Sequence, residues 1–398
     1  MPYLLPSLVP IAALLCTENA ALYDQKITTS SGPVQGYAAF NSSPSGVNLE
    51  HWKDIAVWKG IPFAASTGGN NRFKLAHPWL SAEMNETHHT NSSGNWAILD
   101  QNAALNWIVE NIAAFGGDPE HITVMGQSAG SAATYNIVNS PLTKGLIVGA
   151  IIESGVRDPK DPLSSSLAEN YCSLDVALEN GVSYVSDYNV TSLAELRALN
   201  YSTFAQADDF GAVLDYYAVP NTHMNTLINR AAKDVPIMTG NTRDESDMNT
   251  TFGDWTDKFL TIYSANDSTS ASAAYNRQWS DRSAVSTWLW SQLWATASDK
   301  PVYNHESEIN YVLNNLYDTD LPWVAEDYEI ASTLNAYWVN FIKTGNPNGG
   351  NLTYWPASNA NSSTVQQVGD GWGQTSLAIS KEAVALFEKW FDVLETVY

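Results

Sequence analysis

The sequence predicts an α/β protein, with helices on both faces of a mostly parallel sheet. Three observations carry that expectation. Short apolar runs alternate along the chain with longer segments of helical periodicity, and that interleaving is how a parallel sheet is built. One apolar run, 121–125, meets Gly126-Gln127-Ser128-Ala129-Gly130 and then small residues to Ala133, so strand, sharp turn and helix follow in order. The residues able to do chemistry fall just beyond such runs, where open α/β sheets collect their working groups.

Taken in order, 57–64 reads as a strand closing on a Pro turn. Residues 99–114 read as an amphipathic helix with Leu105, Ile108 and Ile112 on one face, stopping at Gly116-Gly117. Runs 146–152 and 235–239 are further buried strands, and a strand is expected to end at Val302-Tyr303. Helices are predicted over 286–297, 326–344 and 381–396, and the Ser/Ala/Asn-rich stretch 264–275 reads as a surface loop. The tryptophans of 288–294 fall at helical spacing and are expected to pack a core rather than line a pocket.

With 398 residues, 44% of them apolar, the chain can bury one large core, and a single domain over 22–398 is expected. Forty-two acidic against nineteen basic side chains give a net charge of -23, with no Lys/Arg run, so nucleic acid is not an expected partner. Residues 1–21 resemble a cleaved signal peptide: an apolar stretch from Leu4 to Cys16, then Thr17-Glu18-Asn19 and small Ala20-Ala21. No other apolar run approaches the roughly 20 residues that cross a bilayer, so no stable membrane anchor is expected. Asn-x-Ser/Thr sequons begin at Asn41, Asn85, Asn91, Asn189, Asn200, Asn249, Asn266, Asn351 and Asn361, which also points to a secreted, extracellular glycoprotein. Of the two cysteines, Cys16 leaves with the signal peptide, and Cys172 is left unpaired.

Ser128 sits where a nucleophile elbow would hold it, with Gly126 and Gly130 allowing strand and helix backbones to approach closely. A serine hydroxyl needs a histidine to take its proton and a carboxylate to orient that histidine. His305, after the expected strand end, is the candidate base. His51, His77 and His121 precede the serine, whereas in this class of site the histidine comes last, and His88, His89 and His223 read as surface residues. For the acid, the strand 235–239 runs into Asn241-Thr242-Arg243-Asp244-Glu245, and spacing alone leaves Asp244 and Glu245 open.

These residues resemble the type-B carboxylesterase/lipase family, which includes fungal secreted esterases and lipases and the cholinesterases. The resemblance rests on Gly94-Asn95-Trp96-Ala97-Ile98-Leu99-Asp100-Gln101, Leu105-Asn106-Trp107-Ile108, Asn111-Ile112 and Phe115-Gly116-Gly117-Asp118-Pro119, leading into Ile122 to Gly130. Gly60-Ile61-Pro62-Phe63-Ala64 and Arg72-Phe73 agree upstream; Tyr337-Trp338-Val339-Asn340-Phe341, Thr344-Gly345-Asn346-Pro347-Asn348 and Trp355-Pro356 agree downstream. The resemblance implies an α/β-hydrolase fold and hydrolysis of small-molecule or lipid esters through an acyl-enzyme, with no cofactor and no metal. It implies Ser128 as nucleophile, Glu245 rather than Asp244 as acid and His305 as base, with the Ala129 N–H in the oxyanion hole.

The departures from the family are as informative. Its Asp-Glu-Gly motif ends here in Ser246. Between Arg72-Phe73 and Gly94-Asn95 relatives carry several central strands and a His-Gly-Gly-Gly-like turn, where this chain has only 74–93. Loss of an oxyanion donor costs roughly 10²- to 10³-fold in turnover, so impaired hydrolysis is expected. A second shortening precedes His305. Cys172 resembles half of a family disulfide whose other half is here Glu195. These losses suggest either an inactivated paralogue or skipped coding segments, and the intact motifs on both sides of the gaps favour the second. The rival expectation is a catalytically inactive binding or adhesion protein on the same fold.

Overall fold

The computed structural model describes residues 21–44, 51–66, 68, 95–162, 171–204, 211–229, 235–242, 252–306, 309–316, 321–359 and 363–396. The chain divides into two compact units, Met1–Ile61 and Pro62–Tyr398, each taken here by itself. In the first, β1 (Lys26–Thr29) and β2 (Gly32–Gln35) form an antiparallel hairpin, and β3 (Tyr37–Ala38) pairs antiparallel with β4 (Ala56–Val57). The strand expected over 57–64 therefore ends at its first residue. Gly60 at φ 64° turns the chain, and Pro62 has no N–H for a ladder.

The second unit opens with α1 (Trp96–Asn111), β5 (Thr123–Gln127), α2 (Ala129–Asn139), β6 (Gly149–Glu153) and β7 (Tyr171–Ser173). There follow α3 (Leu174–Asp187), α4 (Leu193–Ala198), β8 (Ala212–Leu214), α5 (His223–Ile228), β9 (Ile237–Asn241), α6 (Thr256–Ile262) and α7 (Ser268–Ala297). The chain closes with β10 (Val302–Glu306), α8 (Ile309–Val312), α9 (Ala325–Thr344), β11 (Thr364–Gln367), β12 (Gly373–Ser376) and α10 (Lys381–Asp392). The main sheet runs β12-β11-β10-β9-β6-β5, parallel throughout except for β12. This is the α/β architecture that the sequence predicts.

Alternation of side chains across the strands sorts the core into two layers. Ala150, Ile152, Ile237 and Val302 pack with Tyr135, Val138, Trp290 and Trp294 from α2 and α7. Ile151, Met238 and Tyr303 face Leu334, Trp338 and Phe341 of α9. The tryptophans of α7 are core residues, as their spacing indicates. Helix α7 begins eighteen residues before the expected helix, inside the stretch read as a loop. Asp267 and Ser270 form a capping box at its start, with Asp267 Oδ1 accepting the Ser270 N–H at 2.8 Å and Ser270 Oγ accepting the Asp267 N–H at 3.1 Å. At the other end of the chain, α10 buries Phe387, Trp390 and Phe391 against Phe252 and Phe259.

The strands of the main sheet differ in exposure. β6 and β9 are buried at every residue, whereas β5, which ends the described sheet, is half-exposed along its length. Asn95 fixes the start of α1: held at φ 53°, its side-chain amide exchanges bonds with the backbone of Val213, donating at 2.7 Å and accepting at 2.8 Å. Among the described residues no helix is long and apolar enough to cross a membrane.

Candidate active site

Ser128 is the residue between β5 and α2, and its backbone sits at φ 53°, ψ -117°. A non-glycine residue in that region is strained by about 1–3 kcal/mol, and such strain persists only where its surroundings hold it. Three contacts hold it here. The Ser128 N–H donates to the Glu153 carbonyl at 3.0 Å, and the Ser128 carbonyl accepts from Ala132 at 3.1 Å, which ties the turn to β6 and to the helix. Gly126 supplies the third: a Cβ there would strike the Gly130 carbonyl and lie 3.0 Å from its Cα. Gly126 is thus required by the crossing of strand over helix, whereas a Cβ at Gly130 would meet open space, so the close approach expected of both glycines rests on Gly126 alone.

The serine, Ala129 and Gly130 are exposed. Ala129 opens α2, so its N–H belongs to the first turn, whose donors have no intrahelical acceptor and carry the positive end of the helix dipole. An oxyanion forming beside Ser128 would meet that donor.

Beneath the elbow the next strand end is built similarly. Ser154 follows β6 at φ 58° and donates its N–H to Gly240 at 2.7 Å. Gly155 leaves room for Ser131, which is wholly buried about one helical turn from Ser128. Glu153 is 2% exposed, and its Oε1 accepts from Trp338 Nε1 at 3.0 Å. Sequence reasoning missed Glu153, Ser154 and Gly155; the signal was a charged and a small residue closing an otherwise apolar run.

His305 lies elsewhere than the sequence placed it. The strand does not end at Tyr303: all five residues of β10 pair with β9, and His305 is the fourth of them. Its ring is 1% exposed, edge-on to Trp338 at 4.9 Å and to Trp355 at 5.6 Å between centroids. Gly240 opposite leaves the space, since a Cβ there would lie 2.7 Å from His305 Nδ1. The register makes one row of Gln127, Glu153, Gly240 and His305. At about 4.8 Å per strand, three steps put His305 about 14 Å from Gln127, the neighbour of Ser128. A serine–histidine hydrogen bond spans about 2.6–3.2 Å, so the imidazole would have to leave this slot to reach the hydroxyl. His305 instead lines a small cavity with Asn241, Thr242, Arg277, Asp281 and Asn304, and Ser128 is not part of its wall.

The candidate acids Asp244 and Glu245, and Ser246 beside them, lie outside the described residues, as do His77, His88 and His89. His51 is exposed and pairs with Asp54 at 3.5 Å, and His121 Nε2 meets the Ile342 carbonyl at 2.8 Å. His223 opens α5.

An elbow of this geometry on a parallel sheet is the setting in which the comparisons with known proteins are informative. The model of the carboxylesterase family matches residues 84–300 and 291–387. The chain belongs to the carboxylesterase family. It is 28% identical over 345 residues to the fumonisin B1 esterase of Sphingopyxis macrogoltabida, a match covering 75% of this chain and 62% of the relative. The para-nitrobenzyl esterase of Bacillus subtilis is 28% identical over 305 residues, 67% of this chain and 62% of the relative. The bile salt-activated lipase of Bos taurus is 27% identical over 335 residues, with 67% and 55% covered. The chain thus spans about six tenths of the length of these family members. In fold it is similar to the carboxylesterase of Geobacillus stearothermophilus, with a TM-score of 0.66 and 20% identity over 90% of this chain and 99% of the other. The α/β-hydrolase fold implied by the sequence motifs is therefore the fold of this family member.

Two further residues in the family pattern have clear local roles. Cys172 is a free, half-buried thiol in β7. Glu195 lies in the first turn of α4, whose cap is Ser192; its Oε2 accepts from the Thr191 N–H at 2.7 Å and hydroxyl at 3.0 Å, and these bonds hold its carboxyl below the usual range.

Proposed function

We propose that this chain carries a carboxylic ester hydrolase site whose nucleophile is Ser128. The observation that carries the reading is the strained, exposed elbow at φ 53°, with Gly126 packed onto Gly130. In the proposed reaction Ser128 Oγ attacks the ester carbonyl, its proton passes to water at the exposed elbow, and the carbonyl oxygen becomes an oxyanion stabilised by the Ala129 N–H. The alcohol leaves with a proton, and water then releases the acid from the acyl-enzyme. His305 as base and Glu245 as acid are the assignments the family motif supports. With His305 between Trp338 and Trp355, the serine works in this arrangement without its base, and slow turnover of small esters is the expected activity.

A fluorophosphonate probe tests this directly. Intact-mass analysis of the 398-residue chain is expected to find one adduct, mapped to Ser128 and absent from Ser128→Ala. A wild-type chain that stays unmodified after prolonged exposure, while folded by circular dichroism, would overturn the proposal.

We further infer that the chain is secreted and glycosylated. Supporting this, sequon residues Asn41, Asn189, Asn200, Asn266 and Asn351 are exposed. At Asn200 the Ser202 hydroxyl donates to Oδ1 at 3.0 Å, so the two side chains of that sequon already meet. Asn85, Asn91, Asn249 and Asn361 lie outside the described residues. A mass decrease on enzymatic deglycosylation of the chain expressed through a eukaryotic secretory pathway is expected; unchanged mass would reject it.

A further inference from the structure

The geometry points to the edge of β5, open among the described residues, as a self-complementary surface through which a second copy of this chain pairs antiparallel to extend the sheet. The register shows which groups are available. Ser128 donates to Glu153 and Ile122 accepts from Val148, so the even-numbered residues of this strand turn both backbone groups toward β6. Thr123, Met125 and Gln127 then direct their N–H and C=O groups away from it, and among the described residues β6 is the one strand paired with β5.

Natural edge strands usually carry a charge, a proline or a bulge that discourages pairing. Thr-Val-Met-Gly-Gln has none of these, and Met125 at its centre is 38% exposed. The arrangement is matched to its own copy. In an antiparallel pair centred on Met125, Met125 faces Met125 and Thr123 faces Gln127 across a two-fold axis. Each facing pair is of the narrow type that exchanges two bonds, giving about six hydrogen bonds and no unmatched donor.

Residues 69–94 of the same chain are a poorer match for such an edge. Their β-branched residues are Thr87 and Thr90 alone, and they include the sequons at Asn85 and Asn91. The opposing force is the net charge of -23 on each chain, a repulsion that salt screens. Pairing is therefore expected to strengthen as salt rises, the reverse of an interface held by ion pairs.

Sedimentation velocity of the whole chain tests the inference, from about 1 to about 100 µM, the weak end of the range for protein interfaces. A reversible dimer, favoured by added salt, is expected. Met125→Lys and Met125→Glu each set like charges opposite one another and are expected to weaken dimerisation at least tenfold, while an equimolar mixture of the two restores it. Both variants should keep the wild-type circular dichroism, because the replaced side chain is exposed. A wild-type chain that stays monomeric throughout, as it would with 69–94 covering the edge, overturns the inference. So does a mixture that pairs no better than its separate components.

Discussion

Two positions along one row of the main sheet could hardly be more different. At Gln127 and Ser128 the row reaches an exposed, strained turn on a half-exposed strand; at His305, three strands across, it passes through a slot against two tryptophans, with 1% of the residue accessible. The first is suited to meeting a substrate. The second is built as core, with a glycine opposite to admit the ring. The difference teaches that membership of a catalytic family and assembly of its site are separate matters. The elbow is made by five consecutive residues and two neighbouring strands, whereas a triad depends on the length of every loop that brings a distant residue to it.

The largest effect is expected where burial is most complete, at an ion pair of α7. Arg282 of α7 donates through Nε and Nη2 to Asp161 Oδ1, the Nε bond being 3.1 Å, and both side chains are nearly inaccessible. Arg282→Ala leaves a buried carboxylate without its partner, and a loss of about 3–5 kcal/mol in urea denaturation is expected. A smaller change there would mean that water reaches this pair once the guanidinium is gone.

Asp158, three residues earlier in the same loop, gives a pH-dependent version of the test. Burial pushes its carboxyl up from 3.8 to about 6, although the Lys160 N–H donates to it at 2.8 Å. Below about pH 4 the acid is protonated whether folded or unfolded, and nothing is lost. Between about pH 4 and 6 the folded state holds the proton more tightly, so stability falls as pH rises, and above 6 the full cost remains. Asp158→Asn is expected to be about 1–3 kcal/mol more stable than wild type at pH 7, with the difference vanishing near pH 4 in thermal melts.

His305→Phe probes the slot itself. A ring of similar size between Trp338 and Trp355 is expected to change stability by less than about 1.5 kcal/mol. Fluorophosphonate labelling of Ser128 should persist at nearly the wild-type rate, because the imidazole is three strands away. A collapse of labelling with an unchanged melting temperature would instead establish that His305 leaves its slot and serves the serine. The smallest expected effect is at the exposed end: Ser128→Gly relieves the positive φ and should raise stability by about 1 kcal/mol while removing the adduct.

How much of this was legible beforehand differs residue by residue. Ser128 and Gly126 could be read because an elbow is local: strand, turn and helix are contiguous, and Gly126 answers to a clash with the backbone four residues on. The start of α7 was missed because a run of Ser, Ala and Asn looks like a loop until the Asp267–Ser270 box is recognised. His305 was placed on a loop because Val302-Tyr303 is the visible apolar part of its strand. Asn304 and His305 are polar, yet β9 on one side and β11 on the other pair with that segment and draw it into the sheet.

The amino-acid sequence alone determined the family pattern, the parallel α/β order and the place of the elbow at Ser128, since each depends on contiguous residues and their periodicity. Only the tertiary structure decided that β5 lies at the edge of the described sheet and that His305 lies inside it. Those outcomes depend on which strands become neighbours, and strand order is set by long-range pairing that no local run of residues encodes.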